Sequence, residues 1–261
     1  MLVSEVRAAI KEMKNKKSEG VDEIPAEFWK IIGEKTMKEL VDLCKEMYAQ
    51  GEWPRDFTKV VMVPLKKKAN AVECGDHRPI SLIPHASKIM LKILTKRIES
   101  KAKDFISRNQ FEFRSGCGTR EAIGMIRMLS ERSIEHDNDV HVCLVDFEKA
   151  FDRVEWVKMM ETLASIQVDW RDRKLIRELY MCTEAVVRVA EGESQPGIIE
   201  RWVQQGCPLS PLLFSIYAEM MMKEAMEDIT EGVKVGGELL KDVRFADDQA
   251  MVASTERDCR K

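Results

Sequence analysis

Three aspartates in two strand-like segments place the strongest constraint on how this chain can fold. Asp146 directly follows residues 140–145, a short, largely apolar and β-branched run that predicts a strand. Asp247 and Asp248 are adjacent in a second strand-like run, although aspartate is disfavoured in strands and paired charge is costly to bury. About 100 positions separate the two runs, so only a fold that lays the strands side by side can unite these carboxylates.

The three carboxylates need compensation, and a divalent cation with oxygen ligands is the usual form of it. Two Mg²⁺ ions held roughly 3.5–4 Å apart would activate a hydroxyl and stabilise a leaving phosphate. The aspartates alone leave other readings open. A single aspartate is most often the cap of a turn, and an adjacent pair by itself favours a hairpin turn.

Composition indicates a globular chain. Hydrophobic residues make up 44% and charged residues 33% of 261 residues, which differs from the composition of disordered chains. No stretch approaches the roughly 18 apolar residues that cross a membrane, and charges interrupt the first residues, unlike a secretory leader. The seven cysteines include no C-x-x-C pair, which predicts a reducing compartment, either the cytoplasm or the nucleus.

Charge is unevenly distributed along the chain, although the net charge is only −3. Residues 55–108 contain 13 Lys and Arg against 5 Asp and Glu, whereas residues 140–261 contain 16 against 23. This asymmetry is typical of a phosphate-binding surface beside a metal-binding one. Solvated helix faces explain the same charges equally well.

Apolar periodicity predicts alternating helices and strands, and hence an α+β fold. We predict helices near 2–13, from Pro25 onward, and at 36–50, 86–106, 119–134, 155–166 and 171–181. A further helix is predicted to start in the segment framed by Pro208 and Pro211 and to run to Met226. We predict strands at 60–63 (ended by Pro64), 140–145, 185–190 and 198–203, and a hairpin of 233–240 with 243–252. The chain contains no repeat or flexible linker, so its subdomains are expected to pack together.

Six segments, in order, resemble the reverse transcriptases of non-LTR retrotransposons. Phe245-Ala246-Asp247-Asp248 resembles their [FY]-A-D-D box, and residues 146–154 (DFEKAFDRV) resemble their first catalytic box. Residues 205–211 (QGCPLSP) resemble the box between these two. Residues 77–82 (HRPISL), 113–120 (FRSGCGTR) and 16–25 are similar to segments of the fingers and of the N-terminal extension. Each box alone is weak, but six in the right order identify the family.

The resemblance implies a right-hand polymerase fold, with helical fingers packed on an antiparallel-sheet palm. Fingers with an N-terminal extension are expected over 1–139, with part of the palm able to interleave, and a palm with the catalytic aspartates over 140–261. It also implies that the chain is truncated shortly after the second catalytic box. The thumb and the endonuclease of such enzymes would then be missing.

The resemblance further implies an RNA-directed DNA polymerase whose partners are an RNA template, a DNA primer and dNTPs, with no membrane. Its cofactors would be two Mg²⁺ ions, with Mn²⁺ as a substitute. The expected metal ligands are Asp146, Asp247 and Asp248, with help from the carbonyl of Phe147. The oligomeric state stays open.

Further roles are implied for residues that would bind the nucleotide and the nucleic acid. Phe151 would lie under the sugar and exclude a 2′-hydroxyl, whereas Lys66 and Arg78 would grip the triphosphate. The remaining candidates are Gln205 and Gly206 for the nucleotide, and Arg114, Gly116 and Thr119 for nucleic acid.

Three positions depart from the family pattern. Glu112 and Trp202 stand where glycine is usual, and Cys117 replaces a usual arginine. These departures, with the expected truncation, support an alternative: an inactive retrotransposon-derived fragment that at most binds nucleic acid. A nucleotidyltransferase that ignores templates would not need the boxes around Arg78 and Arg114.

Overall fold

The structure is a computed structural model that describes residues 1–259 except 113, 115, 149, 190–191 and 199–205. The helices are α1 (Val3–Lys11), α2 (Ala26–Ile31), α3 (Glu34–Gln50), α4 (Arg55–Thr58), α5 (His85–Ala102), α6 (Thr119–His136), α7 (Trp156–Ser165), α8 (Trp170–Met181), α9 (Ser210–Ala225) and α10 (Glu256–Cys259). The strands are β1 (Lys59–Lys66), β2 (His77–Leu82), β3 (His141–Asp146), β4 (Glu184–Val189), β5 (Gly192–Glu193), β6 (Gly197–Ile198), β7 (Val233–Val235), β8 (Glu238–Leu240), β9 (Asp242–Phe245) and β10 (Asp248–Ala253). Two 3-10 helices occupy Cys74–Asp76 and Ala150–Arg153. The predicted α+β class is confirmed.

The chain divides into two compact units, and neither is a continuous segment. The first comprises residues 1–101 and 154–211, and the second comprises residues 102–153 and 212–261. The boundary predicted at 139/140 coincides with none of the points where the chain passes from one unit to the other. The assignment of the names fingers and palm to 1–139 and 140–261 stays a prediction.

Helix α5 lies in the core of the first unit. Apolar residues recur along it at helical spacing, and Ile89, Met90 and Leu94 are fully buried. Other fully buried side chains of this unit come from α7 and α8: Met159, Leu163, Leu175, Ile176 and Leu179. The helices predicted at 2–13, 36–50, 155–166 and 171–181 are confirmed within a few residues at each end. Gly51 ends α3 as predicted, in a left-handed conformation with φ 69°.

The sheet of the first unit has the strand order β2-β1-β4-β5, with β6 also paired to β4. Strand β2 was not predicted, and Pro64 lies inside β1 and not at its end. Pro64 is accommodated because it faces Pro79, and the pairing of β1 with β4 stops at Met62. No ladder partner therefore needs an N–H from either proline. Of the strand predicted at 198–203, only Ile198 is described, and it is the last residue of β6.

The second unit contains a three-stranded antiparallel sheet of order β3-β10-β9. Helix α6 packs on β9, and the core cluster between them includes Phe111, Leu129, Val243 and Val252. Strand β3 lies at the edge of this sheet, and its Leu144 side chain is 80% exposed. The helix predicted at 119–134, the helix predicted to start between Pro208 and Pro211, and the strand before Asp146 are confirmed.

The hairpin predicted for 233–252 is two hairpins in the structure. Strands β7 and β8 pair with each other across Gly236 and Gly237, whose φ values of 59° and 89° suit a tight turn. Strands β9 and β10 form the second hairpin. Within the described ranges, every helix is too short or too polar to cross a bilayer.

Candidate active site

The register of the second unit's sheet brings two of the three predicted aspartates together. In the antiparallel pairing of β10 with β3, Asp248 lies directly opposite Asp146. Residues directly opposite each other have Cβ atoms about 4.5–5.5 Å apart, and their side chains leave the same face of the sheet. The sequence prediction that the fold lays the two strands side by side is therefore confirmed.

The third aspartate, Asp247, lies in the two-residue turn between β9 and β10. Phe245 and Asp248 are paired, so Ala246 and Asp247 alone connect the strands. Ala246 adopts φ 55°, a left-handed conformation that costs a residue with a Cβ atom about 1–2 kcal/mol. The aspartate pair is therefore at a hairpin turn and not in the middle of a strand.

Backbone hydrogen bonds tie residues 109–111 to strand β9. The Phe111 N–H donates to the Arg244 carbonyl at 2.9 Å, and the Arg244 N–H donates to the Asn109 carbonyl at 2.8 Å. This short parallel bridge lies three residues before the aspartate pair. It was not predicted, because the segment has no strand-like alternation.

A buried ionic cluster lies under the same strand. Arg244 is 3% exposed, and its Nη2 lies 2.9 Å from Glu219 Oε2, while its Nε lies 3.4 Å from Asp242 Oδ1. The distances make these ion pairs, although the angles are too bent for good hydrogen bonds. No local pattern predicts this cluster, since Glu219 is on α9 and Arg244 is on β9.

Glu112, a departure from the family pattern, lies close enough to Asp247 and Asp248 for their charges to shift its pKa. Burial, together with the negative charges of Asp247 and Asp248, raises the pKa of the Glu112 carboxyl from 4.5 to about 7. Its Oε2 atom is buried and has no hydrogen-bond partner among the described residues. The negative charges of Asp247 and Asp248 therefore act on Glu112, and no hydrogen bond from the described residues to its Oε2 offsets them.

Phe151 stacks on Phe214 of α9, with ring centroids 4.3 Å apart and an interplanar angle of 22°. Phe151 is half-buried, so one part of the ring is fixed by packing while another part remains accessible. Phe147 directly follows β3 and is also half-buried. Both residues belong to the second unit, as do the three aspartates.

Lys66 and Arg78 belong to the β1–β2 ribbon of the first unit. Both side chains are exposed. Lys66 pairs with His77 and Arg78 pairs with Leu65, so the two cations leave opposite faces of the ribbon. Lys67, whose N–H donates to the Asp76 carbonyl at 2.9 Å, continues the ladder on the face of Arg78.

Gly206 has φ 107° and closely approaches the backbone of β2. A Cβ atom at this position would lie 2.6 Å from the Ser81 carbonyl oxygen. The close approach of protein backbone therefore requires glycine here, and the nucleotide contact of Gly206 stays a prediction. Gln205 and Trp202 lie outside the described residues.

The predicted nucleic-acid contacts lie in and after the loop that precedes α6. Arg114 is exposed and donates from Nη1 to the Arg108 carbonyl at 3.2 Å. Gly116 has φ 79°, and Thr119 is the exposed first residue of α6. Cys117 is half-buried and packs against the core cluster. Among the described residues of this loop, Arg114 is an exposed cation that nucleic acid could contact.

The three aspartates suit a divalent cation by chemistry and register. Carboxylate oxygens are the ligands that Mg²⁺ and Mn²⁺ prefer. Among the described residues, none of Asp146, Asp247 and Asp248 forms an ion pair with a lysine or an arginine. As the side chains stand, however, no three His, Cys, Asp or Glu residues of the described ranges are grouped to hold a metal ion. The carboxylates that could bind a metal ion are therefore present, but their side chains are not grouped around a common position.

A protein-family model described as reverse transcriptase (RNA-dependent DNA polymerase) matches residues 65–261. The chain belongs to the reverse transcriptase family. The match covers both catalytic boxes and the segments of Arg78, Arg114 and Gly206, so the predicted family membership is confirmed.

Curated relatives of this reverse transcriptase chain come from retrotransposons. It is 26% identical over 235 residues to the RNA-directed DNA polymerase from the mobile element jockey of Drosophila funebris, covering 88% of this chain and 25% of that protein. It is 25% identical over 259 residues to a Pol polyprotein from the type-1 element R1 of Bradysia coprophila, covering 96% and 24%. The resemblance to the non-LTR branch is confirmed. The chain spans about a quarter of the length of these relatives.

Solved telomerase structures share the fold. A truncated apo telomerase from Candida tropicalis matches with a TM-score of 0.56 and 12% identity, over 93% of this chain and 53% of that one. The telomerase of the same organism in complex with a telomeric RNA fragment matches with a TM-score of 0.52 and 13% identity, over 89% and 41%. The predicted right-hand polymerase fold is confirmed.

Proposed function

We propose that this reverse transcriptase chain carries out RNA-directed DNA synthesis, joining a dNTP to the 3′-hydroxyl of a DNA primer on an RNA template. The observation that carries the proposal is the register of β10 on β3, which sets Asp248 opposite Asp146 with Asp247 in the adjoining turn. Carboxylates that form no ion pair with a lysine or an arginine of the described residues are suited to divalent cations and unsuited to direct contact with phosphate.

Asp146, Asp247 and Asp248 would hold two Mg²⁺ ions, which Mn²⁺ can replace, with the Phe147 carbonyl as a further oxygen ligand. When bound, such ions activate the attacking hydroxyl and stabilise charge on the phosphate oxygens. The chain's own part is to hold the carboxylates on a rigid strand pair. Precise placement of this kind lowers the barrier to an in-line displacement.

The half-buried Phe151 ring is the best candidate for selecting the sugar. Its stacking on Phe214 fixes the ring plane, so the ring cannot move aside for a 2′-hydroxyl. This rigidity supports a preference for dNTPs over rNTPs. Gln205 is proposed to contact the same nucleotide, on resemblance alone.

Cationic groups of both units are proposed to bind phosphate. Arg78 of the β1–β2 ribbon supplies a guanidinium fork suited to a triphosphate, and Lys66 a second cation on the opposite face. Arg114, with Gly116 and Thr119 beside it, is proposed to contact the nucleic-acid backbone.

Intracellular placement, in the nucleus or the cytoplasm, is proposed from the cysteine pattern.

Primer extension on an RNA template with Mg²⁺ and dNTPs tests the proposal. We expect the parent chain to extend the primer, and the Asp247→Asn variant to lose extension. Glu238→Gln, which changes an exposed carboxylate of β8, is the matched control and should extend like the parent. Absence of extension by a folded parent would support the inactive-fragment reading instead.

A further inference from the structure

A buried glutamine amide links the turn of the catalytic aspartates to a second segment of chain. Gln110 is 1% exposed, and its Oε1 accepts a hydrogen bond from the Ala246 N–H at 3.1 Å. The same oxygen accepts a second hydrogen bond from the Glu112 N–H, also at 3.1 Å. Two N–H donors on one atom fix the orientation of the amide, because the Nε2 group cannot accept either bond.

The hydrogen bond with Ala246 is formed at the residue of the turn whose backbone conformation is least favourable. Ala246 is 5% exposed and adopts the left-handed conformation that glycine would adopt more easily. Such conformations persist only where surrounding structure determines them. A buried hydrogen bond from another segment supplies that constraint, because an unpartnered N–H in this place would be costly.

Gln110 is itself held rigidly. The flanking residues Asn109 and Phe111 are bonded to the backbone of Arg244 on β9. Arg244 is in turn fixed by its buried ion pairs with Glu219 and Asp242. The side-chain oxygen therefore acts from a fixed base and not from a mobile loop.

We propose that Gln110 is a positioning residue: its side-chain oxygen holds the Ala246–Asp247 turn in the conformation that keeps Asp248 opposite Asp146 and Asp247 beside it. The effect of this positioning on catalysis rests on the proposed function. The same oxygen holds the backbone of Glu112, so it also sets where this additional carboxylate lies relative to the aspartates.

Three variants separate positioning from general packing. Gln110→Met keeps the length of the side chain and removes the acceptor. Gln110→Glu keeps an acceptor oxygen and serves as the conservative rescue. Gln249→Met is the matched control. It changes a buried glutamine of the β9–β10 hairpin that does not form either of the two hydrogen bonds of Gln110.

The first readout is hydrogen exchange at the Ala246 amide, and the second is Mn²⁺ binding followed by electron paramagnetic resonance. We expect Gln110→Met to speed Ala246 exchange about tenfold, in line with the loss of one buried hydrogen bond. We expect its Mn²⁺ affinity to fall about 10-fold or more, as for other supports of metal ligands. Gln110→Glu should restore the slow exchange, and Gln249→Met should change neither readout. Should Gln110→Met not fold, Gln110→Asn takes its place, since its shorter amide cannot reach Ala246.

Primer extension then separates this inference from the proposed function. For an active parent, we expect Gln110→Met to lower kcat with little change in the KM for dNTP. Parent-like exchange and Mn²⁺ affinity in Gln110→Met would overturn the inference, as would equal losses in Gln249→Met. An inactive parent whose exchange and Mn²⁺ affinity still respond to Gln110→Met would contradict the proposed function and leave the positioning role supported.

Discussion

Asp146 and Asp248 lie directly opposite each other on β3 and β10, with side chains on one face of the sheet. Like charges in this relationship destabilise a sheet. The pairing is therefore a cost to the fold that a bound cation would offset. The aspartate pair is therefore expected to lower the stability of the metal-free protein while it supports the proposed activity.

Replacing one of the two opposed aspartates should stabilise the metal-free protein. We expect Asp248→Asn to raise the free energy of unfolding by about 0.2–1 kcal/mol, the size of a cross-strand pair effect, because it removes the like-charge repulsion. Urea denaturation in EDTA measures this change, and excess Mg²⁺ should reduce or reverse it. A clear loss of stability in EDTA would show that the two carboxylates do not repel each other.

Glu112 should make stability depend on pH. Its pKa of about 7 in the folded state lies above the ordinary 4.5, so folding favours the protonated form. The stabilising contribution of this proton is complete below about pH 4.5 and is lost as the pH rises through about 7. We expect Glu112→Gln to match the parent near pH 5 and to be more stable near pH 8. Denaturation at both pH values measures this, and a constant difference would contradict it.

The Arg244 cluster predicts unequal effects from its members. Arg244→Met leaves the buried Asp242 without its cation and leaves Glu219 with Lys223 alone, 3.7 Å away, so we expect a loss of about 3–5 kcal/mol in the free energy of unfolding. Glu219→Gln should cost less, because Asp242 still lies beside the guanidinium. Chemical denaturation of both variants tests the order. A larger loss for Glu219→Gln would show that Asp242 does not compensate.

Gly206 should tolerate no side chain. We expect Gly206→Ala to lower the free energy of unfolding by about 1–2 kcal/mol from the left-handed backbone alone, and further from the clash with Ser81. Gly75→Ala is the control, because nothing lies within 4 Å of a Cβ atom there. Thermal denaturation compares the two. Equal, small effects would mean that β2 moves easily away from residue 206.

The sequence predicted the part of the fold that repeats simple patterns. Helix α5 and strand β3 follow from apolar periodicity, and the end of α3 follows from Gly51. The union of Asp146 with Asp248 also followed, because two strands ending in carboxylates serve a common site only when adjacent. The prediction that Pro64 ends β1 is wrong, because the strand continues through it. The proline is tolerated where β4 does not pair with β1, and a local sequence pattern cannot show where that pairing stops.

The support of the site could not be predicted in the same way. Gln110 reaches Ala246 through a fold-level contact, and no local pattern marks a glutamine as a hydrogen-bond acceptor for a distant turn. Glu112 was recognised as a departure from the family, but its raised pKa depends on its burial and on the carboxylates that the fold brings near it. The local sequence does not distinguish Arg244 from an ordinary strand residue, because its ion pair with Glu219 is formed only by the fold.

The most direct test of the central claim is single-nucleotide extension of a DNA primer on an RNA template with Mg²⁺, comparing the parent with Asp146→Asn and Asp248→Asn. The opposed pair predicts that both variants fold at least as stably as the parent and that both lose incorporation to the same low level. Extension that survives in either folded variant would contradict the assignment of this strand pair as the site of nucleotidyl transfer.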